Sequence, residues 1–238
     1  MRDLYDIHCH ILPGVDDGAK DMDMALSMIE KEIDAGVETI ILTPHFRKEM
    51  FEPDMEDIWS AYDTLVDETK NRNIRLYLGC EFHANMEMVE TLDRDFRPTL
   101  ADSRYVLTEF SSSSTRAFIK ERADALLTAG YYPIIAHIER YRALRKDFDF
   151  IADLIEMGCE MQGNGDAVIG RNGLGAQRFC KKLMQEDMLH YVASDAHNLR
   201  GRASHMGECC EYLKKHMGRL YTSRIMRDNP SKIVETLR

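Results

Sequence analysis

Leu4-Tyr5-Asp6-Ile7-His8-Cys9-His10 is a short apolar run whose downstream end carries two histidines one residue apart. Apolar without alternation and only a few residues long, it reads as a parallel strand buried on both faces. Runs of the same kind recur at 39–43, 75–80, 105–110, 133–137, 159–162 and 191–194. Between them lie helical patterns. Met22, Leu26, Ile29 and Ile33 repeat at three or four residues and end at Gly36 as a C-terminal cap. Met55, Ile58, Tyr62, Leu65 and Val66 form a second pattern, and Phe118, Ile119, Leu126 and Leu127 precede Gly130 in another. Further helices are expected at 147–157, 174–187 and 203–217, and the tail reads as two short helices broken at Asn229-Pro230. The connection 84–100 is the least regular. Strands alternating with helices give an α/β chain, either a parallel barrel or an open doubly wound sheet.

The 238 residues suit one such barrel. No linker or internal repeat marks a boundary, so a single domain spanning 1–238 is expected. Apolar residues make up 44% and charged residues 30%, enough for a full core. The formal net charge of −10 lacks the basic footprint of a nucleic-acid binder or an anionic-membrane binder. An anionic substrate would have to be attracted by bound cations and a few placed arginines. The opening Met1-Arg2-Asp3-Leu4-Tyr5-Asp6 is charged with no apolar stretch behind it, so neither a secretory leader nor membrane insertion is expected. Cysteines 9, 80, 159, 180, 209 and 210 form no Cys-x-x-Cys pair and read as reduced thiols of a cytoplasmic protein.

The polar residues at the downstream edges of the runs carry the chemistry. The first run delivers His8 and His10, with Asp16 and Asp17 just beyond, and the second delivers His45. The next two end in Glu81 and Glu109, and the fifth ends in His137 with Arg140 following. The sixth leads to Gln162 and Asn164, and the last to Asp195 and His197. In a barrel of parallel strands this is the site-bearing rim. In an extended segment, side chains at i and i+2 share a face, so His8-x-His10 and Asp195-x-His197 each aim both groups one way. Imidazoles and carboxylates suit manganese, iron or zinc, and so many converging would be costly without two or three ions. His190, His205 and His216 fall outside this pattern and take structural roles; His83, two past Glu81, could turn into the site.

Rival chemistries fail on spacing. A cysteine-based phosphatase loop needs Arg six residues after the nucleophile, and those positions hold Val15, Met86, Gly165, Glu186, Lys215 and His216. Asp21-x-Asp23 and Asp93-x-Asp95 do not follow strands and read as solvated charges. The glycines between 163 and 175 lack the Lys-Ser/Thr of a nucleotide loop and read as a flexible connection.

Asp6-Ile-His8-Cys-His10, Val15-Asp-Asp17-Gly18, Thr43-Pro-His45, Gly79-Cys-Glu81, Glu109-Phe110, Ala136-His137-Ile-Glu139-Arg140-Tyr141 and Ser194-Asp195-Ala-His197-Asn198 together resemble the PHP (polymerase and histidinol phosphatase) superfamily. More narrowly, the chain is similar to the manganese-dependent protein-tyrosine phosphatases encoded with bacterial capsule and exopolysaccharide genes. Phe51-Glu52, Gly201-Arg202 and the closing Asp228-Asn-Pro-Ser-Lys-Ile-Val234 extend the likeness.

That resemblance implies a distorted seven-stranded (β/α)7 TIM-like barrel with a trinuclear site. It implies one ion on His8, His10, Glu81 and Asp195, a second on Glu81, Glu109 and His137, and a third on Asp17, His45 and His197. Arg140 and Arg202 would be the catalytic residues that contact phosphate. The implied cofactors are two to three divalent ions, manganese first, with iron or zinc also fitting. The implied reaction is hydrolysis of phosphotyrosine by a metal-bridged hydroxide. The implied partner is a phosphotyrosine protein, the tyrosine-rich tail of a membrane-associated bacterial tyrosine kinase that controls capsule or exopolysaccharide synthesis. Two other readings stay open: a small-molecule phosphatase of the histidinol-phosphatase type, and a metal-bearing regulatory module without turnover. The oligomeric state is open.

Overall fold

The computed structural model describes residues 3–235. The strands are β1 (Leu4–Cys9), β2 (Val37–Leu42), β3 (His45–Phe46), β4 (Arg75–Leu78), β5 (Glu81–His83), β6 (Tyr105–Glu109), β7 (Tyr132–Ile135), β8 (Glu160–Asn164) and β9 (Tyr191–Ala193). The helices are α1 (Met22–Asp34), α2 (Met55–Thr69), α3 (Met88–Asp93), α4 (Arg116–Thr128), α5 (Phe148–Met157), α6 (Gly165–Ile169), α7 (Leu174–Gln185), α8 (Met206–His216), α9 (Arg219–Ser223) and α10 (Asn229–Glu235).

Every strand pairing is parallel, in the orders β1-β2-β4 and β3-β5-β6-β7-β8-β9. The two orders are one curled surface. β3 prolongs β2 after a break at Thr43-Pro44, where proline removes a donor, and β5 prolongs β4 after a break at Gly79-Cys80. Backbone hydrogen bonds continue across the breaks, with Gly79 N–H donating to Leu42 O at 2.8 Å and Glu81 N–H to Pro44 O at 3.1 Å. The far edge returns to β1: Asp195 N–H donates to His8 O and His10 N–H to Ala196 O, each at 2.8 Å. The α/β fold with a curled parallel sheet therefore matches the expectation. Among the described residues nine strand segments stand where seven runs were expected, because β3 and β5 prolong the second and third runs beyond their ends.

The sheet separates two apolar clusters. Tyr5, Ile7, Ile41, Leu107, Ile134 and Tyr191 pack inside the curl, where Leu100 and Ile233 join them. Leu4, Ile40, Leu42, Val106 and Ile135 face outward onto the helices, whose buried stripes include Met28 and Ile29 of α1 and Ile151 and Leu154 of α5. Local chemistry fixes the helix starts. Asp21 accepts from Met24 N–H at 2.9 Å, Thr115 from Phe118 N–H at 3.2 Å and Asp147 from Phe150 N–H at 3.0 Å. Of the Asp21-x-Asp23 pair, Asp21 is thus the N-cap of α1 and Asp23 an exposed acidic residue of its first turn.

Three expectations are corrected. The segment 163–176 is not a flexible connection: Gly163 and Asn164 belong to β8, Gly165 opens α6, and Gly175 lies in α7. Gly165 lies beside Cys209 of α8 and the Ala193 carbonyl. The tail does not break at Asn229-Pro230, because α9 passes through a π-helical turn, 224–228, directly into α10. Pro230 directly follows that π-helical turn, where the helical ladder is already irregular, and is accommodated without ending the helix. Finally, β7 stops at Ile135, and His137 adopts a left-handed conformation at φ 31°.

One glycine shapes the rim directly. The loop after β1 crosses back over His10, and a Cβ at Gly18 would lie 2.0 Å from the His10 carbonyl oxygen. Because the obstacle is backbone, Gly18→Ala is expected to lower unfolding free energy by at least about 1–3 kcal/mol. Denaturant unfolding of the variant checks this, and wild-type stability would contradict the close approach.

Candidate metal centre

The two histidines of β1 reach the site through an irregularity in the ladder. Asp6 pairs with Ile40 and Cys9 with Leu42, so β1 spends three steps where β2 spends two. This bulge changes the pleat: Ile7 packs inside the curl, whereas Cys9 packs on the helix side. His8 and His10 are thereby aimed together, their Nε2 atoms 3.4 Å apart. At the end of β9, Asp195 is held at φ 52°, another non-glycine residue in the left-handed region. Together with His137 it marks backbone strain concentrated where donors converge.

All nine residues expected as ligands meet here. Ligand atoms within 4.8 Å of one another form four overlapping groups. These are His10 with Asp17, His45 and His197; His8 with Glu81 and His137; His8 with His10 and Asp195; and His45 with Glu81 and Glu109. The partition differs from the one the resemblance implies, since His10 also joins the Asp17 group and Glu109 groups with His45. Glu81 is the hub. His137 Nε2 and His45 Nδ1 each lie 2.8 Å from its carboxylate, and His8 Nε2 and His10 Nε2 each lie at 3.3 Å.

Hydrogen bonds on the far side of the rings fix which nitrogens face inward. The His137 backbone N–H donates to Gln162 Oε1 at 2.8 Å, which identifies that atom as the acceptor; His8 Nδ1, 3.1 Å away, must then carry its proton and donate as well. Asp16 accepts from His10 Nδ1 at 2.7 Å, and the Asp195 carbonyl accepts from His197 Nδ1 at 2.9 Å. In the neutral rings all three Nε2 lone pairs are left for the site, the arrangement of metal-binding histidines. His197 Nε2 and Glu81 Oε2 are buried without a well-angled hydrogen bond, although His45 Nδ1 stands close to the latter. Buried acceptors converging without donors are costly, and a cation satisfies them. The residues therefore fit divalent ions.

Against the effect of burial, Glu81 and Asp195 raise His8 above the ordinary imidazole value and Asp16 raises His10 well above it, so in the bare site protons on these rings compensate the carboxylates where cations would otherwise do so. Burial alone would raise the Glu81 carboxyl, but His8, His10, His137 and His45 hold it well below the usual range. Asp195 is lowered well in the same way, burial being outweighed by His8 and Arg140. Glu109 goes the other way, to about 7, through burial and the neighbouring Glu81 charge. Burial and then Arg140 push His137 down to about 4, which keeps that ring neutral.

Both expected arginines meet Asp195. Arg140, in the turn after His137, pairs with its Oδ2, and Arg202 Nη2 lies 3.2 Å from its Oδ1. The two guanidinium side chains are 39% and 40% exposed. A cavity of about 60 Å³ lies between them, with Asn164 and Ser194 in its wall. A larger cavity of about 530 Å³, lined by Trp59, Tyr62 and Tyr77, contains none of the nine residues. Convergent donors rather than size identify the site.

Several residues named at the rim or in its motifs turn out to support the ligands, a role the sequence did not assign to them. Asp16 accepts from His45 N–H and Gly18 N–H as well as from His10, and against the effect of burial these bonds bring it to about 2. Gln162 donates to Asn164, whose amide donates to Asp195 at 2.8 Å. Tyr141 OH accepts from Phe110 N–H at 3.0 Å and lies 3.2 Å from His137 Nδ1. A signal existed: polar residues at buried strand ends that no rim role claimed. The histidines outside the site have their own partners. His83 lies 3.1 Å from Ser111 Oγ, His190 Nδ1 accepts from Met161 N–H, His205 pairs with Asp166, and the His216 ring lies against Tyr212. All six cysteines are free and buried, and Cys9 is pushed well up by burial and Asp6, away from a nucleophilic thiolate.

Comparison with known proteins agrees with this geometry. A family model described as capsular polysaccharide synthesis, CpsB/CapC, matches residues 4–235. Tyrosine-protein phosphatase CpsB of Streptococcus pneumoniae is 34% identical over 238 residues, covering 97% of this chain and 98% of that one. A crystal structure from the pair YwqE of Bacillus subtilis and CpsB of Streptococcus pneumoniae, described as unique metal-dependent tyrosine phosphatases, superimposes with TM-score 0.91 at 29% identity, covering 99% of this chain and 96% of that one. Histidinol phosphate phosphatase of Lactococcus lactis shares the fold at TM-score 0.59 and 13% identity, over 91% of this chain and 94% of its own.

Removing the carboxylate that orients His10 should cost metal affinity. Asp16→Ala is expected to weaken divalent-metal binding by about 10–100-fold, whereas Cys9→Ser should leave it unchanged. Calorimetric metal titration of both variants checks the pair, and unchanged affinity in Asp16→Ala would contradict the role given to Asp16.

Proposed function

Because the chain belongs to the CpsB/CapC capsular polysaccharide synthesis family, we propose that it is a metal-dependent protein-tyrosine phosphatase, a phosphoric monoester hydrolase, with one catalytic domain spanning 1–238. The observation that carries the reading is the meeting of nine imidazole and carboxylate donors with two arginines at one rim. His8, His10, Asp17, His45, Glu81, Glu109, His137, Asp195 and His197 would hold two to three divalent ions, manganese first, with iron or zinc as other occupants, and Glu81, at the centre, would contribute to more than one of them.

Bound ions supply an acidified water and neutralise charge on the phosphate. The remaining work belongs to the chain. Arg140 and Arg202 flank Asp195 from β7 and β9, so a phosphate drawn to the centre meets two guanidinium forks that match its oxygens. They stabilise the charge that spreads over those oxygens during in-line transfer. The leaving phenolate, of pKa about 10, requires less proton assistance than an alkoxide. Gln162, Asn164 and Asp16 hold the donor groups in register while this happens.

Openness of the rim favours a protein substrate over a metabolite. Asp17 is 45% exposed at its side chain, and both arginines are comparably exposed. The partner in this reading is the tyrosine-rich tail of a membrane-associated bacterial tyrosine kinase, with capsule or exopolysaccharide synthesis as its setting. Free cysteines support a cytoplasmic location.

Chelation should abolish turnover of a phosphotyrosine peptide, and manganese should restore it, with histidinol phosphate and phosphoserine hydrolysed far more slowly in parallel assays. Arg140→Ala and Arg202→Ala should keep their metal yet lose about 10²–10³-fold in kcat, and lysine at either position should rescue poorly. Elemental analysis and kinetics on the same samples decide this. Full activity in a rigorously metal-free sample would sink the phosphatase mechanism, and near-normal turnover in both alanine variants would move the phosphate elsewhere.

A further inference from the structure

The rim has two unlike halves. Its cationic half spans β7 to β9, where Arg140 and Arg202 follow the strands. Across β1, the segment after β3 sets an aromatic ring against a ligand histidine. Phe51 is partly exposed and stacks on His45, ring centroids 5.1 Å apart and planes 18° from parallel. His45 in turn faces Glu81 through Nδ1 and Asp17 through Nε2, so Phe51 stands one layer out from the donors.

Phe51 is also held firmly. Arg47 N–H donates to Phe51 O at 2.9 Å and Phe51 N–H donates to Arg47 O at 2.8 Å, closing a tight turn. Glu49 sits in the left-handed region at φ 65°, its N–H taken by Glu52, and Lys48 is tied across to Glu87. A ring presented on a closed turn is pre-organised, so little entropy is lost when a second ring lies against it. The nearby Met50 side chain is 59% exposed and leaves the turn open outward.

We propose that Phe51 is the wall against which the phenyl ring of the substrate lies, so that the site selects aryl over alkyl phosphates. This rests on the tyrosine-phosphatase reading and deepens it: the arginines receive the phosphate, and the turn 47–51 receives the ring.

Calorimetric titration of manganese-loaded protein with phenylphosphonate and with methylphosphonate separates this role from simple support of His45. Phe51→Ala should weaken phenylphosphonate about threefold to tenfold while methylphosphonate affinity and bound metal stay as in wild type. Phe51→Trp should retain the preference, and Phe51→Leu should lose most of it. Equal weakening of both phosphonates, no weakening of either, or loss of bound metal in both Phe51→Leu and Phe51→Ala would overturn the proposal. A wild-type protein that binds phenylphosphonate but turns over no phosphotyrosine peptide would instead bring down the reading beneath it.

Discussion

The structure depends on one buried carboxylate. Glu81 is fully buried at the start of β5, and imidazoles of four histidines approach it: His8 and His10 from β1, His45 from β3 and His137 from the turn after β7. An ionised carboxylate in such a place is costly unless charge and hydrogen bonds compensate it. Protonated imidazoles can do so, but in the neutral rings the inward Nε2 atoms of His8 and His10 are acceptors, because their outer nitrogens donate to Gln162 and Asp16. Divalent cations resolve both problems at once, so the curl of the sheet, the bulge in β1 and the strained Asp195 and His137 serve a shared end. Each brings a donor to within reach of Glu81 or its neighbours.

The outer layer explains why these strand ends can be so polar. Gln162 links His8, His137 and Asn164, and Asn164 reaches Asp195. Asp16 links His10, His45 and Gly18. Asp6 accepts both the N–H and the hydroxyl of Ser194, securing the turn that holds Asp195 and His197. A buried polar network of this kind is stable only when nearly every member is satisfied. Here the network is satisfied outward and left open inward, which is the condition for a tight but loadable site.

Much of this was legible in the chain itself. Parallel strands were readable because unalternating runs such as 4–8 and 133–137 end in ligand-type residues at a common edge. The nine rim residues were readable for the same reason, and the structure gathers them. What could not be read was geometry that depends on partners distant in sequence. The bulge at Asp6–Cys9 exists only relative to β2. The breaks at Thr43-Pro44 and Gly79-Cys80 interrupt strands that go on pairing beyond them, and the segment 163–176 is ordered by β8 pairing with β9 and by α6 packing against α7 and α8. Asp16 looked like one more rim carboxylate, and its bond to His10 across the loop made it a support instead. The tail misled through Pro230, which the π-helical turn before it accommodates within one continuous helix.

The measurement that tests the central claim most directly is the number of ions per chain in wild type and in Glu81→Gln. Elemental analysis of folded, manganese-equilibrated protein gives that number, with circular dichroism confirming the fold of the variant. A hub carboxylate predicts two to three ions in wild type and the loss of more than one in Glu81→Gln. Wild-type protein that holds no ion, or a variant that keeps the full complement, would contradict the account.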